Sequence, residues 1–128
     1  MSVFSEPTPI ATAEQFRAAV LAVRNRMTDV QLKIIQTHCR SAEQTISLDQ
    51  LAELLSLASW SVARNAYGKY ARLIADELKF VPGAVSGKPV WLFAIAYGRP
   101  DADAKLDGDF EWTMRPELVQ AMQAMKWA

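Results

Sequence analysis

The chain has 128 residues, and 51% of them are hydrophobic, which suits one domain with a substantial core. Its 14 basic residues equal its 14 acidic ones, which argues against a surface that binds nucleic acid all over. Any nucleic acid must therefore bind a local patch. Cys39 is the only cysteine, which excludes an intramolecular disulfide and indicates a reducing compartment. With no membrane-length apolar run and no signal-peptide pattern, we expect a cytoplasmic protein.

Three helix starts are marked by a Ser or Thr followed three residues later by Gln, the pattern of a capping box. The pairs are Thr12 with Gln15, Thr28 with Gln31, and Ser47 with Gln50. Apolar residues at helical spacing follow each pair and predict helices over 12–26, 28–40 and 48–57. Residues 1–11 hold two prolines and are expected to be a flexible tail.

A long helix is predicted from Trp60 to Phe80. An apolar stripe, which we expect to face the core, consists of Ala63, Tyr67, Tyr70, Ile74 and Leu78. The opposite face is polar and cationic, with no acid before Asp76. Its residues are Ser61, Arg64, Asn65, Gly68, Lys69 and Arg72, with Trp60 at the entrance of the helix.

The amino-acid composition and pattern change after this helix. Residues 81–89 hold two prolines and two glycines and predict a loop. Val90–Tyr97 is apolar on both alternating faces and predicts a strand buried on both sides. After a polar loop over 98–108, Phe110, Trp112 and Met114 alternate with Glu111, Thr113 and Arg115, which predicts a second strand with one wet face.

These two strands are expected to pair as a hairpin, the wing, and Pro116 suits the first position of a last helix that reaches Trp127. A helix, a turn, a basic helix and then a hairpin is the order of a winged helix-turn-helix. The predicted fold is therefore α+β and mostly helical: one winged-helix-like domain over residues 12–128, with a C-terminal wing and a last helix.

Candidate catalytic and metal-binding residues do not form a known pattern. His38 and Cys39 are neighbours on a predicted helix and point in different directions, so they do not suit one metal or a catalytic pair. Four aspartates at 101, 103, 107 and 109 lack the glycine and terminal glutamate of a calcium loop. Phosphate-cradling glycine motifs and serine elbows are absent from the sequence. We predict a non-enzymatic protein without metal or cofactor.

The cationic face of the long helix is the strongest functional signal. Gly68 lies among the cations at a cost of about 1 kcal/mol of helix propensity against alanine, and its bare backbone allows another surface to approach closely. Trp60 is placed to stack on a base. The face predicts contact with double-stranded DNA, although three cations on a helix are often only a solvated surface. The aspartates of the wing loop would repel phosphates, so the helix must dominate binding.

Several segments together resemble a small domain found at the N-terminus of some bacterial HNH endonucleases and as stand-alone proteins. The similar segments are LAELL at 51–55, YGKYARLIADEL at 67–78, Trp91, and FEWTMRPELVQAM at 110–122 followed by KW. The resemblance implies a winged-helix-like module that presents DNA, sometimes modified DNA, to the nuclease, with Arg64, Asn65, Lys69 and Arg72 as recognition residues. The turn at 57–60 departs from the family pattern, and the H-N-H metal residues are absent, so cleavage is not implied.

A second hypothesis is a protein-interaction module from a phage or mobile element that inhibits a bacterial defence protein or nuclease. The neutral charge, the acidic loop at 101–109 and the methionines at 114, 122 and 125 favour it. Either hypothesis allows a monomer or a homodimer, for which Phe4, Met125 and Trp127 are a candidate patch.

Overall fold

The computed structural model describes residues 9–85, 87–98 and 107–128, except for the side chain of Val85. The predictions that concern residues 1–8, including Phe4, and the aspartates at 101 and 103 lie outside these ranges. Within them the helices are α1 (Ala13–Ala22), α2 (Asp29–Arg40), α3 (Leu48–Leu54), α4 (Trp60–Leu78) and α5 (Pro116–Ala124). The strands are β1 (Thr45–Ser47), β2 (Ala84–Val85), β3 (Lys88–Pro89), β4 (Ala96–Tyr97) and β5 (Glu111–Met114).

Helices α1, α2 and α3 begin at the three predicted capping boxes. At the first, Gln15 N donates to Thr12 Oγ1 at 3.1 Å, while Thr12 N donates to Gln15 Oε1 at 2.8 Å. The same reciprocal pair of bonds starts α2 at Thr28 and α3 at Ser47. Each box satisfies two backbone donors that the first helical turn leaves free, so the three helix starts are fixed locally and the predictions are confirmed.

A small antiparallel sheet, with strand order β1–β5–β4, closes the domain. Thr113 in β5 faces Thr45 of β1 on one side and Tyr97 of β4 on the other. Since β1 lies between α2 and α3, and β4 and β5 follow α4, the sheet joins the helical part to the C-terminal hairpin. The α+β prediction, a mostly helical domain with a β-hairpin, is confirmed.

Helix α4 is the centre of the core, as its apolar stripe predicts. Ala63, Tyr67, Tyr70 and Ile74 are almost fully buried, so the two tyrosines serve packing rather than stacking on a ligand. The phenol of Tyr67 reaches His38 Nδ1 on α2 at 2.6 Å. The two sides of α4 therefore differ: the apolar side packs against the neighbouring helices, and the polar side faces outward.

The prediction of one strand over Val90–Tyr97 is wrong. Trp91–Ala94 form a 3-10 turn, and only Ala96 and Tyr97 are in a strand. Three successive residues, Leu92, Phe93 and Ala94, are buried. A 3-10 turn directs consecutive side chains to different sides, which suits a segment that is buried all round, and it satisfies its own backbone, as in the bond from Phe93 N to Val90 O at 3.1 Å.

The predicted loop over 81–89 contains a short hairpin. Strands β2 and β3 pair through Ala84 with Pro89 and Val85 with Lys88. Val90 N donates to Gly83 O at 3.1 Å and ties the base of the hairpin to the 3-10 turn that follows. The prolines and glycines indicate the loop, but a strand of two residues is too short for an alternation of apolar and polar residues to be recognised in the sequence.

Four helices end earlier than predicted, among them α1 at Ala22 instead of Arg26 and α4 at Leu78 instead of Phe80. Helix α3 stops at Leu54 instead of Leu57, and α5 stops at Ala124 instead of Trp127. Both ends carry a left-handed residue, Ser56 or Lys126, whose successor donates back to the helix, as from Leu57 N to Ala52 O at 2.8 Å. Glycine normally marks this Schellman geometry, and its absence removes the sequence signal for the helix end.

Helix α4 ends in the same way, at Lys79 with φ of 55°. Replacing Lys79 by glycine is expected to raise the free energy of unfolding by about 0.5–1 kcal/mol, because glycine adopts this conformation without the Cβ clash. The matched control is Lys33→Gly, at an exposed interior position of α2, which should cost about 1 kcal/mol. Urea unfolding midpoints of both variants test this, and destabilisation by Lys79→Gly would contradict it.

The alternation predicts that Arg115 lies on the solvent-exposed face of a strand, but its side chain is fully buried. Strand β5 ends at Met114, so the alternation stops one residue earlier and Arg115 becomes the N-cap of α5. Its guanidinium donates to the carbonyl oxygen of Phe93 from Nε at 3.1 Å and from Nη2 at 2.7 Å. Its backbone N–H donates to Ile95 O at 2.9 Å. Arg115 thus joins the 3-10 turn to the start of the last helix.

The methionine surface invoked for a protein-interaction module is also wrong. Met114 and Met122 are buried in the core, and Met125 and Trp127 pack partly buried against it. Gln36 Nε2 donates to the Trp127 backbone carbonyl at 2.9 Å, which holds the C-terminal residues on α2. In the described part of the chain, no helix combines the length and the apolar character that crossing a bilayer requires.

Candidate nucleic-acid interface

The outward face of α4 brings the seven predicted contact residues together. Arg64, Asn65, Lys69 and Arg72 are exposed, while the others, Trp60, Ser61 and Gly68, are partly buried. Ser59 precedes the helix as its N-cap without a side-chain hydrogen bond. The polar face therefore points outward along more than three turns, opposite the buried tyrosines.

Two of the cations on this face rest on indole rings. The guanidinium carbon of Arg64 lies 5.1 Å from the ring centre of Trp60, and that of Arg72 lies 4.8 Å from the ring centre of Trp91. Cation–π contacts at such exposed sites contribute about 0.5–1 kcal/mol each. They limit the motion of the long side chains, so less conformational freedom remains to be lost when an anion binds.

A carboxylate lies near the entrance of the face. Gly108 is buried against Trp60 and Asp49: a Cβ at Gly108 would lie 2.6 Å from Trp60 Cγ and 2.5 Å from Asp49 Oδ1. Asp49 N also donates to Gly108 O at 2.8 Å. Asp49 therefore lies beside Trp60, the ring on which Arg64 rests, whereas Lys69 and Arg72 lie further along the helix.

A groove of about 500 Å³ runs along α4, between the cationic face and the segment 88–92. Among the described residues, its lining contains three cations and no carboxylate, together with one amide and an apolar floor. The lining residues are Leu48, Arg64, Asn65, Gly68, Lys69, Lys88, Pro89, Val90, Trp91, Leu92 and Trp112. The groove suits a ligand that is anionic at one end and apolar and flat at the other.

Seven lining residues of this groove lie outside the predicted site: Leu48, Lys88, Pro89, Val90, Trp91, Leu92 and Trp112. The segment that carries Lys88 and Trp91 comes alongside α4 only because the β2–β3 hairpin reverses the chain. Trp112 is brought beneath it by the pairing of β5 with β1. A pattern of residues within one helix cannot indicate partners that arrive through such pairing.

Gly68 leaves the groove open. A Cβ at this position would meet no atom within 4 Å, so packing does not require glycine there. The backbone of a helix interior is less stable with glycine than with alanine by about 1 kcal/mol. Gly68 therefore widens the groove and lowers the stability of the helix, and no packing contact compensates for that loss.

Trp112 lies on the floor of the groove with only 3% of its surface exposed. Its indole Nε1 is buried and has no hydrogen-bond partner among the described residues. Its ring contacts those of Phe93 and Phe110, with centres 5.7 and 4.9 Å away. A buried N–H without an acceptor is unusual in a folded protein and costs about 1–3 kcal/mol.

His38 and Cys39 are structural, as expected. His38 is fully buried, and its Nε2 lies 2.8 Å from the Trp112 carbonyl oxygen. Burial lowers the pKa of His38 to about 4 and raises the pKa of the Cys39 thiol. Within the described ranges, no group of three potential metal ligands comes together, and Asp107 and Asp109 are exposed.

The geometry can therefore bind an anion by fixed cations and hold a flat ring over an apolar floor; the described residues show no nucleophile activated by a neighbouring base. Comparison with protein-family models, with curated proteins and with solved structures gives no significant match.

Proposed function

We propose that the protein is a non-catalytic DNA-binding module and that α4 carries the contact. The observation that supports this most directly is the groove beside α4, whose described lining residues include Arg64, Lys69 and Lys88 and no carboxylate. In a protein with equal numbers of acids and bases, such a surface provides the local patch that a polyanion requires.

In this proposal Arg64, Asn65 and Lys69 contact base edges or phosphates, and Arg72 contacts the DNA backbone. Arginine forms paired hydrogen bonds with phosphate or guanine, and asparagine does so with adenine. The stacking of Arg64 on Trp60 and of Arg72 on Trp91 orders both guanidiniums in advance. The Tyr67 and Tyr70 rings have no part in binding, because they are buried.

The biological setting belongs to the same proposal. Because the sequence resembles the domain that precedes some bacterial HNH nucleases, we propose that the module reads DNA, including modified DNA, for a nuclease acting in restriction or defence. The alternative of an inhibitor that binds a defence protein loses its methionine surface, since Met114 and Met122 are in the core. It keeps the neutral net charge and the acidic loop as support.

The triple variant Arg64→Ala/Lys69→Ala/Arg72→Ala is expected to bind duplex DNA at least tenfold more weakly. Its plot of log K against log salt should also be shallower by about 0.9 for each lost phosphate contact. Fluorescence anisotropy titrations between low and physiological salt measure both quantities. Unmodified and base-modified duplexes should be compared, because the modification preference is not specified by the cations.

The matched control is Lys33→Ala/Arg40→Ala, which removes two exposed cations from α2, away from the groove. It should keep wild-type affinity and most of the salt slope. Equal losses of affinity in both variants would show that DNA binding depends only on the total charge of the protein. Failure of the wild-type protein to bind any duplex at low salt would remove the proposal.

A further inference from the structure

The cationic face of α4 is one wall of a cleft, and this determines what can enter it. A recognition helix that reads the major groove must protrude, since that groove is only about 12 Å wide. Here the exposed residues Lys88 and Pro89 and the partly buried Trp91 stand alongside α4 and form the opposite wall. A duplex can rest on the rim formed by the cations, but only a narrower group can reach the floor.

We propose that the groove holds a single nucleotide extruded from DNA, with its base on the floor and its phosphate on the rim. This inference rests on the proposed DNA-binding function and specifies the ligand of the same site. The groove volume of about 500 Å³ lies within the roughly 300–1,000 Å³ typical of small-ligand sites. Stacking of a base on an aromatic side chain contributes about 1–3 kcal/mol, and the partly buried Trp91 lines the groove.

Three further features match the chemistry of a nucleotide. The lining cations Arg64, Lys69 and Lys88 complement a phosphate. The Asn65 amide offers both a donor and an acceptor to a base edge. The indole N–H of Trp112 has no acceptor among the described residues; it is buried below the lining, and it would donate to a ring nitrogen or carbonyl oxygen of the base once the Trp112 ring turns toward the groove.

Extrusion of a paired base costs a few kcal/mol, and that cost disappears when the base has no partner. The protein should therefore bind a duplex with one unpaired base, placed opposite an abasic site, at least tenfold more tightly than the fully paired duplex. With 2-aminopurine as the unpaired base, entry into the groove should change the 2-aminopurine fluorescence as its environment passes from the helix stack to the indoles. End-label anisotropy, recorded in parallel, reports binding itself.

Gly68→Leu is the variant that fills the groove, because a Cβ at this position would meet no atom within 4 Å. It should abolish the preference for the unpaired base and the 2-aminopurine signal, and anisotropy with the paired and unpaired duplexes measures that preference as a ratio of affinities. Ala124→Leu adds the same side chain to an exposed position of α5 and should behave as wild type. Thermal unfolding of both variants confirms that they are folded.

The outcomes separate the two proposals. If the wild-type protein binds duplex DNA by anisotropy but shows neither preference nor 2-aminopurine signal, extrusion is wrong and the DNA-binding proposal stands. If Gly68→Leu keeps the full preference, the base does not enter this groove. If a free nucleoside monophosphate binds as tightly as the nucleotide in DNA, the groove is a mononucleotide site and extrusion from a duplex is again wrong. If no duplex is bound, both proposals fall.

Discussion

Replacing Arg115 by methionine is expected to lower the free energy of unfolding by about 3 kcal/mol, the range seen when one partner of a buried charged network is removed. The substitution takes both guanidinium hydrogen bonds from the buried Phe93 carbonyl. It also removes the positive charge near Glu117, whose carboxylate opposes the lowering of the Arg115 pKa by burial. Methionine has a similar length, so the loss reports the polar head rather than a cavity.

The control for this variant is Arg40→Met, at the exposed end of α2, which should change stability by less than about 0.5 kcal/mol. Arg115→Lys should fall between the two, because an ammonium has no planar fork with which to donate twice to one carbonyl. Guanidinium chloride unfolding, followed by circular dichroism, gives all three values. A stability of Arg115→Met equal to wild type would show that the buried guanidinium contributes nothing net.

Acidification from pH 6.5 to pH 4 is expected to destabilise the protein by on the order of 3 kcal/mol through His38 alone. Burial lowers the folded-state pKa of His38 from 6.5 to about 4. Between these values the unfolded chain binds the proton and the folded chain does not. The stability contribution is therefore complete above pH 6.5 and is lost progressively as the pH falls toward 4.

Hydrogen bonding determines the tautomer of the neutral ring, whereas burial makes the neutral ring preferred over the charged one. The Trp112 carbonyl can only accept, so His38 Nε2 carries the proton, and Nδ1 accepts from the Tyr67 hydroxyl at 2.6 Å. A second ring proton would force the Tyr67 hydroxyl to turn and would place a charge among buried residues.

His38→Gln is the informative comparison, because glutamine is neutral throughout and can offer a donor and an acceptor. Carboxylates contribute to the acid sensitivity of both proteins, so the measured quantity is the difference between wild type and variant. Urea unfolding at several pH values from 4 to 7.5 should show that difference changing by a few kcal/mol below pH 6.5 and staying constant above it. Parallel curves over the whole range would contradict the assigned role of His38.

The sequence predicts most of what is determined within one helix. The three capping boxes, the buried stripe of α4 and the exposed cations follow from spacing alone, because i, i+3 and i+4 neighbours lie on one side of a helix. The placement of Tyr67 and Tyr70 in the core follows from the same periodicity. These features hardly depend on contacts that are distant in the chain.

What the sequence does not predict depends on such distant contacts. The 3-10 turn at Trp91–Ala94 lies in an apolar run that resembles a strand equally well, and its packing against α4 joins residues that are distant in the chain. The burial of Arg115 depends on the Phe93 carbonyl arriving beside it. The groove could not be predicted either, because its second wall is built by a hairpin with only two residues in each strand.

Arg115 also determines where the domain can be divided. The hairpin that completes the sheet ends at Met114. Judged from the sequence alone, a protein truncated after Met114 would look like a complete winged helix. Such a fragment would leave the Phe93 carbonyl buried without its donor and would strip α5 from α1, against which it packs. The terminal fourteen residues are thus an integral part of the folding unit, and fusion or deletion experiments should keep them intact.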